Sequence, residues 1–209
     1  MKKILISNRI FFLSYSCWLI IAFALSVFYS QPTLSMYINN FRFPWSDFFA
    51  SYFTHVGDGL FAVFVSVLCL IINRKIGLLI ILSYLFSAAI TQTLKHTIFA
   101  DAGRPIQFFG STHIVHFIDG VTLHAHNSFP SGHTTSIFSL CSMLAFTFKK
   151  YGNQVFLFVI ALVAGLTRVY LLQHYLIDVL AGSFIGVLSS ILLYYWLKDK
   201  AIFSIHKQS

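Results

Sequence analysis

Residues 127–133 read Asn-Ser-Phe-Pro-Ser-Gly-His, and an apolar run over residues 134–148 follows them directly. A polar turn that opens into a helix presents free backbone N–H groups and the positive end of the helix dipole, which together favour an anion such as phosphate. Gly132 lets a ligand approach the backbone closely, and Ser131 and His133 add a hydroxyl and an imidazole donor. The turn therefore predicts a phosphate site, with a capped helix start and a surface histidine as the alternative.

The composition places the chain in a membrane. Of its 209 residues, 57% are hydrophobic and 10% are charged, and no Glu is present. The formal net charge is +8, yet the basic residues stand in twos and threes between apolar runs, which excludes a nucleic-acid-binding protein. The three cysteines are odd in number and lie inside apolar runs, so they are interpreted as core residues and not as disulfides or metal ligands.

The apolar runs predict an all-α, polytopic membrane protein with six transmembrane helices in one domain covering residues 1–209. The expected spans are approximately 10–29, 57–72, 76–94, 131–148, 154–172 and 175–197. The first run is as long as a full span and lacks a small-residue cleavage site, so it is expected to be a retained helix and not a signal peptide.

A short amphipathic helix is expected before the second span. Large side chains recur at helical spacing after Pro44, at Trp45, Phe48, Phe49, Tyr52, Phe53 and Val56. This pattern is typical of a helix that lies in the membrane interface. Its aromatic stripe serves packing and anchoring, or alternatively contacts a substrate chain.

The distribution of Lys and Arg predicts orientation. With both termini in the cytoplasm, ten of the fourteen basic residues fall on the cytoplasmic side, as the positive-inside rule requires. The exceptions are Arg42, Lys95, Arg104 and Arg168. Six alternating spans bring the last three to one outer face, where converging charges at membrane depth indicate a polyanion site. Arg supplies a planar fork for phosphate oxygens and Lys a point charge.

His174 and Asp178 belong to the same outer face. They are four residues apart and would share one side of a helix. The carboxylate can then accept a hydrogen bond from one imidazole nitrogen and leave the other as a nucleophile, as in a hydrolase triad. An exposed ion pair at a helix start is the alternative.

Three motifs thus stand in order: Lys95 with Arg104-Pro105, the Pro-Ser-Gly-His of residues 130–133, and Thr167-Arg168 with His174 and Asp178. In these motifs the chain resembles the type 2 phosphatidic acid phosphatase (PAP2) family, membrane phosphatases that share an active-site plan with soluble vanadium haloperoxidases and bacterial acid phosphatases. The resemblance implies a helical core of that type and a phosphatase that needs no metal or other cofactor.

The resemblance also implies roles for the matched residues. His174 would attack phosphorus to form a phosphohistidine, Asp178 would orient it, and His133 would protonate the leaving group. The phosphoryl oxygens would be held by Lys95, Arg104, Ser131, Gly132 and Arg168.

The chain departs from the family pattern at two places. Eight residues separate Lys95 from Arg104, two more than the family usually has, so either a bulge near residues 101–103 absorbs the excess or Lys95 lies further down its helix. Thr167 replaces the usual Ser and keeps the hydroxyl.

The outer segment also carries His96, His113, His116, His124 and His126. Their spacing fits no standard zinc pattern, so titrating surface or substrate-gating roles are expected and a metal is not.

The expected function is that of a metal-independent lipid phosphatase at the periplasmic face of a bacterial cytoplasmic membrane. It would hydrolyse a phosphate monoester or pyrophosphate of a lipid of the undecaprenyl pyrophosphate, phosphatidylglycerol phosphate, phosphatidic acid or lipid A type. A lipid phosphotransferase using the same site is the nearest alternative. A six-helix anion transporter is the alternative from another class, although such folds typically show inverted repeats and broken spans.

Overall fold

The computed structural model describes residues 2–110, 114–198 and 200, and every regular element among them is helical. The elements are α1 (Lys2–Ser7), α2 (Arg9–Phe28), α3 (Gln31–Asn40), α4 (Ser46–Phe53), a 3₁₀ turn (Thr54–Gly57), α5 (Gly59–Ile72), α6 (Arg74–Thr97), α7 (Pro105–Phe109), α8 (Gly132–Thr147), α9 (Tyr151–Tyr170) and α10 (Leu176–Leu197). The all-α fold class is confirmed. The six apolar runs coincide with α2, α5, α6, α8, α9 and α10 to within three residues at each end.

Four of these helices, α2, α6, α9 and α10, are long and apolar enough to cross a membrane. A fifth span results if α4, the 3₁₀ turn and α5, which are bent by 58°, are counted as one. Helix α8 has 16 residues, and at ~1.5 Å per residue it is shorter than a hydrocarbon core of ~30 Å. The fold is therefore that of a polytopic membrane protein, and the count of six spans stays a prediction.

Helix α8 forms the centre of the bundle. Twelve of its 16 residues are buried, so its neighbours cover it on all sides. Hydroxyl groups join it to α6 and α10: Ser83 Oγ lies 2.8 Å from both Ser139 Oγ and Ser190 Oγ, and Thr91 donates to Thr135 Oγ1 at 3.1 Å. Small polar side chains of this kind let membrane helices approach closely and hydrogen-bond to one another.

Two glycines of α10 set its distance from α8. A Cβ added at Gly182 would lie 2.5 Å from the Ser131 carbonyl oxygen, and one at Gly186 would lie 2.6 Å from that of Thr135. Small residues four positions apart permit such close contact between helix backbones. The Ser131 N–H also donates to the Asp178 carbonyl at 3.0 Å. The first turns of α8 and α10 are thereby held side by side.

Helix α4 lies in the segment for which an amphipathic helix was expected, and it continues into the 3₁₀ turn; its amphipathic character stays a prediction. Trp45, Phe48 and Tyr52 are exposed along it, but its place at a membrane interface stays a prediction. Helix α3 was not expected, because residues 31–40 are too polar for a span. Its start is capped by Ser30, whose Oγ accepts from the Thr33 N–H at 3.3 Å.

Candidate active site

A cavity of about 990 Å³ opens where α6 and α9 end and where α8 and α10 begin. Six of the eight predicted site residues line it: Lys95, Arg104, Gly132, His133, Arg168 and His174. The other two, Ser131 and Asp178, are buried in contact with these residues. The structure therefore brings the three sequence motifs together at one end of the bundle.

His174 and Asp178 form a buried pair at the start of α10. His174 Nδ1 lies 3.3 Å from Asp178 Oδ2, and the two side chains are 2% and 3% exposed. The same oxygen accepts from Ser128 Oγ at 2.5 Å and from the Tyr175 N–H at 2.9 Å. With Nδ1 directed at the carboxylate, Nε2 is the nitrogen available to a ligand in the cavity.

The surroundings of His174 keep it neutral. Burial lowers the pKa of His174 well below its ordinary value, and the positive charges of Arg104, Arg168 and Lys95 act in the same direction. A neutral imidazole retains the lone pair that a nucleophile needs. The pair is thus suited to attack an electrophilic centre held by the neighbouring cations.

Arg104 is fixed by backbone carbonyls. Its Nε donates to His126 O at 2.9 Å, Nη1 to Gln173 O at 3.0 Å, and Nη2 to Asn127 O at 3.3 Å. Burial lowers the pKa of Arg104, and Asp178 opposes that shift. An Arg side chain nevertheless stays charged. The guanidinium is therefore an immobilised cation whose position depends on the loop of residues 125–127.

Lys95 reaches the cavity despite the longer spacing to Arg104. The chain turns after the last turn of α6, where the Phe99 N–H donates to Leu94 O at 2.9 Å. Residues 98–103 form a turn between Lys95 and Arg104. Lys95 stays in the last turn of α6, 8% exposed and on the cavity wall.

Gln173 joins the two arginines and was not identified from the sequence. Its Oε1 accepts from Arg104 Nη1 at 3.4 Å and from Arg168 Nη2 at 3.5 Å, while its Nε2 donates to Thr122 O at 2.8 Å. Arg168 also donates to Thr54 Oγ1 at 2.8 Å. Among the residues that the structure describes, the buried Arg168 Nε has no acceptor.

The two phosphate contacts expected at the start of α8, from Ser131 and Gly132, differ in how open they are to the cavity. Ser131 is the N-cap residue, and its Oγ accepts from the Thr134 N–H at 3.4 Å and from Thr134 Oγ1 at 2.9 Å. The hydroxyl that was expected to donate to phosphate is therefore engaged in the helix cap and fully buried. A Cβ at Gly132 would meet nothing within 4 Å, so the backbone there is open to a ligand.

A second contact between an imidazole and a carboxylate lies at His133. His133 Nε2 is 2.5 Å from Asp58 Oδ1, and His55 Nδ1 is 2.8 Å from Asp58 Oδ2. Sequence analysis found no role for His55 and missed Asp58. The available signal was weak: a carboxylate between two glycines at the start of an expected span.

The outer-segment histidines that the structure describes are not grouped as metal ligands. His116 Nε2 lies 3.4 Å from Asp47 Oδ2, His126 contacts Gln107, and His124 lines the cavity, while His113 lies outside the described residues. Within residues 2–110, 114–198 and 200, no group of three or more His, Cys, Asp or Glu residues is placed to hold a metal ion. Three fixed cations, an open backbone and two imidazoles instead form a site for a phosphoryl-like anion.

Comparison with known proteins points to the same chemistry. The sequence model of the PAP2 superfamily matches residues 76–202. The bacitracin transport permease protein BcrC of Bacillus licheniformis is 41% identical over 81 residues. That alignment covers 39% of this chain and 38% of the BcrC chain, so it spans well under half of either protein.

Two solved structures share the fold. LpxE of Aquifex aeolicus superposes with a TM-score of 0.68 at 25% identity, over 78% of this chain and 93% of that one. A transmembrane PAP2-type phosphatidylglycerolphosphate phosphatase of Bacillus subtilis superposes with a TM-score of 0.64 at 24% identity, over 90% and 97% of the two chains.

Proposed function

This chain belongs to the PAP2 superfamily, and from that premise we propose that it is a membrane phosphatase that hydrolyses a phosphate monoester or diphosphate of a lipid. One observation carries the proposal: a buried His174–Asp178 pair shares its cavity with Lys95, Arg104 and Arg168. Fixed cations stabilise the charge that develops on phosphoryl oxygens, and the neutral imidazole supplies the nucleophile.

In the proposed first step, His174 Nε2 attacks phosphorus. A P–N bond forms, the bond from phosphorus to the leaving oxygen breaks, and His133 transfers a proton to that oxygen. Asp178 accepts the Nδ1 proton of His174 in a hydrogen bond and stabilises the positive ring. Lys95, Arg104, Arg168 and the Gly132 N–H hold the equatorial oxygens. The backbone N–H groups at the start of α8 replace the Ser131 hydroxyl in this role.

In the proposed second step, His133 removes a proton from water, whose oxygen attacks phosphorus. The P–N bond breaks, inorganic phosphate is released and His174 is restored. His133 thereby regains the proton that it gave to the leaving group, so the cycle closes on the hydrolysis of one bond by one water. No step in this scheme requires a metal ion.

The membrane context favours a lipid substrate. The cavity lies at the end of helices that are apolar enough to span a bilayer, so a headgroup can enter it while the chains stay among the helices. The candidate classes are undecaprenyl pyrophosphate, phosphatidylglycerol phosphate, phosphatidic acid and lipid A. A lipid phosphotransferase would use the same first step, with an alcohol acceptor in place of water.

The name of the BcrC relative refers to transport, which keeps the anion transporter as a second candidate. The packing beneath the cavity opposes it. Ser83, Ser139 and Ser190 are fully buried and hydrogen-bonded to one another between α6, α8 and α10. A permeation path would have to separate these helices, whereas a catalytic pocket needs an opening on one side alone.

We further propose six spans with both termini in the cytoplasm and the cavity at the periplasmic face of a bacterial cytoplasmic membrane. Arg9 donates to Tyr151 OH at 3.1 Å, and Gln154 donates to Ser7 O at 3.1 Å. These contacts place the start of α2 at the end of the bundle that carries Lys149 and Lys150. The positive-inside rule assigns that end to the cytoplasm.

The orientation is tested by cysteine labelling in intact cells, in a background without Cys17, Cys69 and Cys141. Asp101→Cys lies in the turn after α6 and Gly152→Cys at the start of α9, and both positions are exposed. A membrane-impermeant thiol reagent should label position 101 alone. Labelling at position 152 alone would place the active site in the cytoplasm.

The activity is tested with purified protein in detergent, by phosphate release from a panel of lipid diphosphates and monophosphates. Release should persist in excess chelator and be inhibited by vanadate, which adopts the five-coordinate geometry of the transition state. Activity that is lost with chelator and restored by zinc or magnesium would refute metal independence. Anion uptake into proteoliposomes without phosphate release would favour the transporter.

A further inference from the structure

Asp58 is shared by two histidines. Its Oδ1 lies 2.5 Å from His133 Nε2 and its Oδ2 lies 2.8 Å from His55 Nδ1. His133 and His55 line the cavity, and the side chains are 34%, 32% and 69% exposed for Asp58, His133 and His55. Both oxygens of one carboxylate are therefore directed at imidazoles that face the same cavity.

The contact is not a by-product of helix capping. Asp58 is the N-cap residue of α5, and an Asp at this position normally accepts from the backbone N–H groups of the first helical turn. The Asp58 side chain makes no such bond. The Asp58 carboxylate contacts His133 at the start of α8 instead, and this contact does not cap α5.

The backbone before Asp58 fits against His133. A Cβ added at Gly57 would lie 3.2 Å from both the Cβ and the carbonyl oxygen of His133. The glycine lets the 3₁₀ turn (Thr54–Gly57) pack directly on the imidazole-bearing residue. With Nε2 engaged by Asp58, Nδ1 is the nitrogen of His133 that remains for a ligand.

The proposed role of His133 requires a proton on a ring placed among cations. Arg168 lines the same cavity, and His55 becomes a further positive charge when protonated. Like charges disfavour the imidazolium form, and a carboxylate within hydrogen-bond distance favours it. Asp58 is the group that meets this need, because its oxygen contacts the ring directly.

We propose that Asp58 is a positioning residue that favours the protonated form of His133 and directs its Nδ1 toward the leaving oxygen, with His55 holding the second carboxylate oxygen. This inference rests on the proposed function of the site. It predicts that the loss of kcat on substitution of Asp58 depends on how much the leaving group needs a general acid. The loss should be large when the leaving group is an alkoxide and small when the leaving group is stable as an anion.

The test compares two leaving groups in Asp58→Asn and Asp58→Ala. With an alkyl phosphate such as phosphatidic acid, kcat should fall by about 100-fold in Asp58→Asn and further in Asp58→Ala, since the amide keeps an acceptor but loses the charge. With p-nitrophenyl phosphate the loss should stay under about tenfold. KM should change little for either substrate, and the basic limb of the pH profile should move to lower pH.

Two control variants separate a specific role of Asp58 from the effect of removing any charged or polar side chain at the cavity. Asp119→Asn removes a carboxylate that lines the same cavity, and His55→Asn leaves the His133 contact in place. Asp119→Asn should leave the ratio between the two substrates unchanged, and His55→Asn should change it less than Asp58→Asn. An equal loss on both substrates in Asp58→Asn, or a change in KM alone, would overturn the proposal.

A second measurement needs no turnover. In histidine-labelled protein in detergent, Asp58→Asn should move the titration midpoint of His133 to lower pH, and Asp119→Asn should not. An unmoved midpoint would refute the role of Asp58, whatever the substrate. Conversely, a wild-type protein that hydrolyses soluble phosphates but no lipid would defeat the lipid function and leave the Asp58 inference standing.

Discussion

The cavity contains two pairs of an imidazole and a carboxylate, built in different ways. His174 and Asp178 come from the start of one helix and are 2% and 3% exposed. His133 and Asp58 come from two helices distant in the chain and are 32% and 34% exposed. The first pair is closed off from solvent by its neighbours, and the second stands on the open side of the cavity.

The difference corresponds to what each proposed role requires. A nucleophile must keep its lone pair, and burial among cations ensures this by lowering the pKa of His174. A general acid must reach the leaving group and exchange its proton, so it needs exposure and a carboxylate that favours the charged ring. The two imidazoles of one cavity thus differ in burial and in the geometry of their carboxylate partners.

The largest effect is expected from His174→Ala. The protein should insert and fold, yet turnover should fall by about 10⁴-fold or more, which corresponds to ~5 kcal/mol or more in the barrier. The measurement is phosphate release at saturating substrate, with thermal unfolding as the control for folding. Retention of more than a few per cent of activity would exclude a phosphohistidine mechanism.

Asp178→Asn should cost less than removal of the nucleophile. The amide offers the wrong hydrogen-bonding pattern to Nδ1, disfavours the required tautomer and no longer stabilises the positive ring, so kcat should fall by about 10²- to 10³-fold. Unlike Asp58→Asn, this loss should be similar for alkyl phosphates and p-nitrophenyl phosphate. A loss that depended on the leaving group would erase the distinction between the two pairs.

Ser128→Ala is expected to have a smaller effect. Ser128 Oγ donates to Asp178 Oδ2 at 2.5 Å and lies 3.5 Å from His174 Nδ1. Asp178 keeps its bond from the Tyr175 N–H in the variant, so the loss should be limited to ~1.5–3 kcal/mol, about 10- to 100-fold in kcat. Ser136→Ala, which removes a hydroxyl bonded to Gly132 O at 3.0 Å, is the matched control and should stay near wild type. Equal losses in the two variants would argue against a specific role for Ser128.

The smallest effect concerns pH. Because the pKa of His174 is lowered, the acid limb of kcat/KM for the wild type should lie below the ordinary imidazole pKa of ~6.5. Removing a like charge in Arg104→Gln favours the imidazolium, raises the pKa of His174, and should move the acid limb up by about one unit. Both profiles use the same substrate, so its own ionisation cancels in the comparison. An unchanged acid limb would show that Arg104 does not influence His174.

Short-range patterns predicted much of the site. The spacing of His174 and Asp178 predicted a pair on one face of a helix. In the structure His174 lies in the turn before α10 and Asp178 in the first turn of that helix, and the two side chains are 3.3 Å apart. The turn over residues 127–133 was recognised as a helix start, but its Ser131 hydroxyl proved to cap that helix. A capping serine and a ligand-binding serine have the same local sequence, because both precede the first helical turn.

Contacts between site residues and residues far away in the chain were not predicted from the sequence. Asp58 contacts His133, and His55 contacts Asp58, because the 3₁₀ turn and the start of α5 pack beside the start of α8. Gln173 lies within the third motif but was given no role from the sequence. The sequence also could not show whether Lys95 reaches the site, given the long spacing between Lys95 and Arg104. With this spacing, Lys95 lines the cavity together with Arg104.

The sequence by itself determined the membrane class, the helices and the candidate residues of the site, because hydrophobic periodicity and local spacing act within single helices. Only the tertiary structure decided which carboxylate serves which imidazole. That choice depends on distances between helices, such as the approach of α10 to α8 that Gly182 and Gly186 permit. Contacts of this kind arise from packing between segments far apart in the chain, and no periodicity within one segment encodes them.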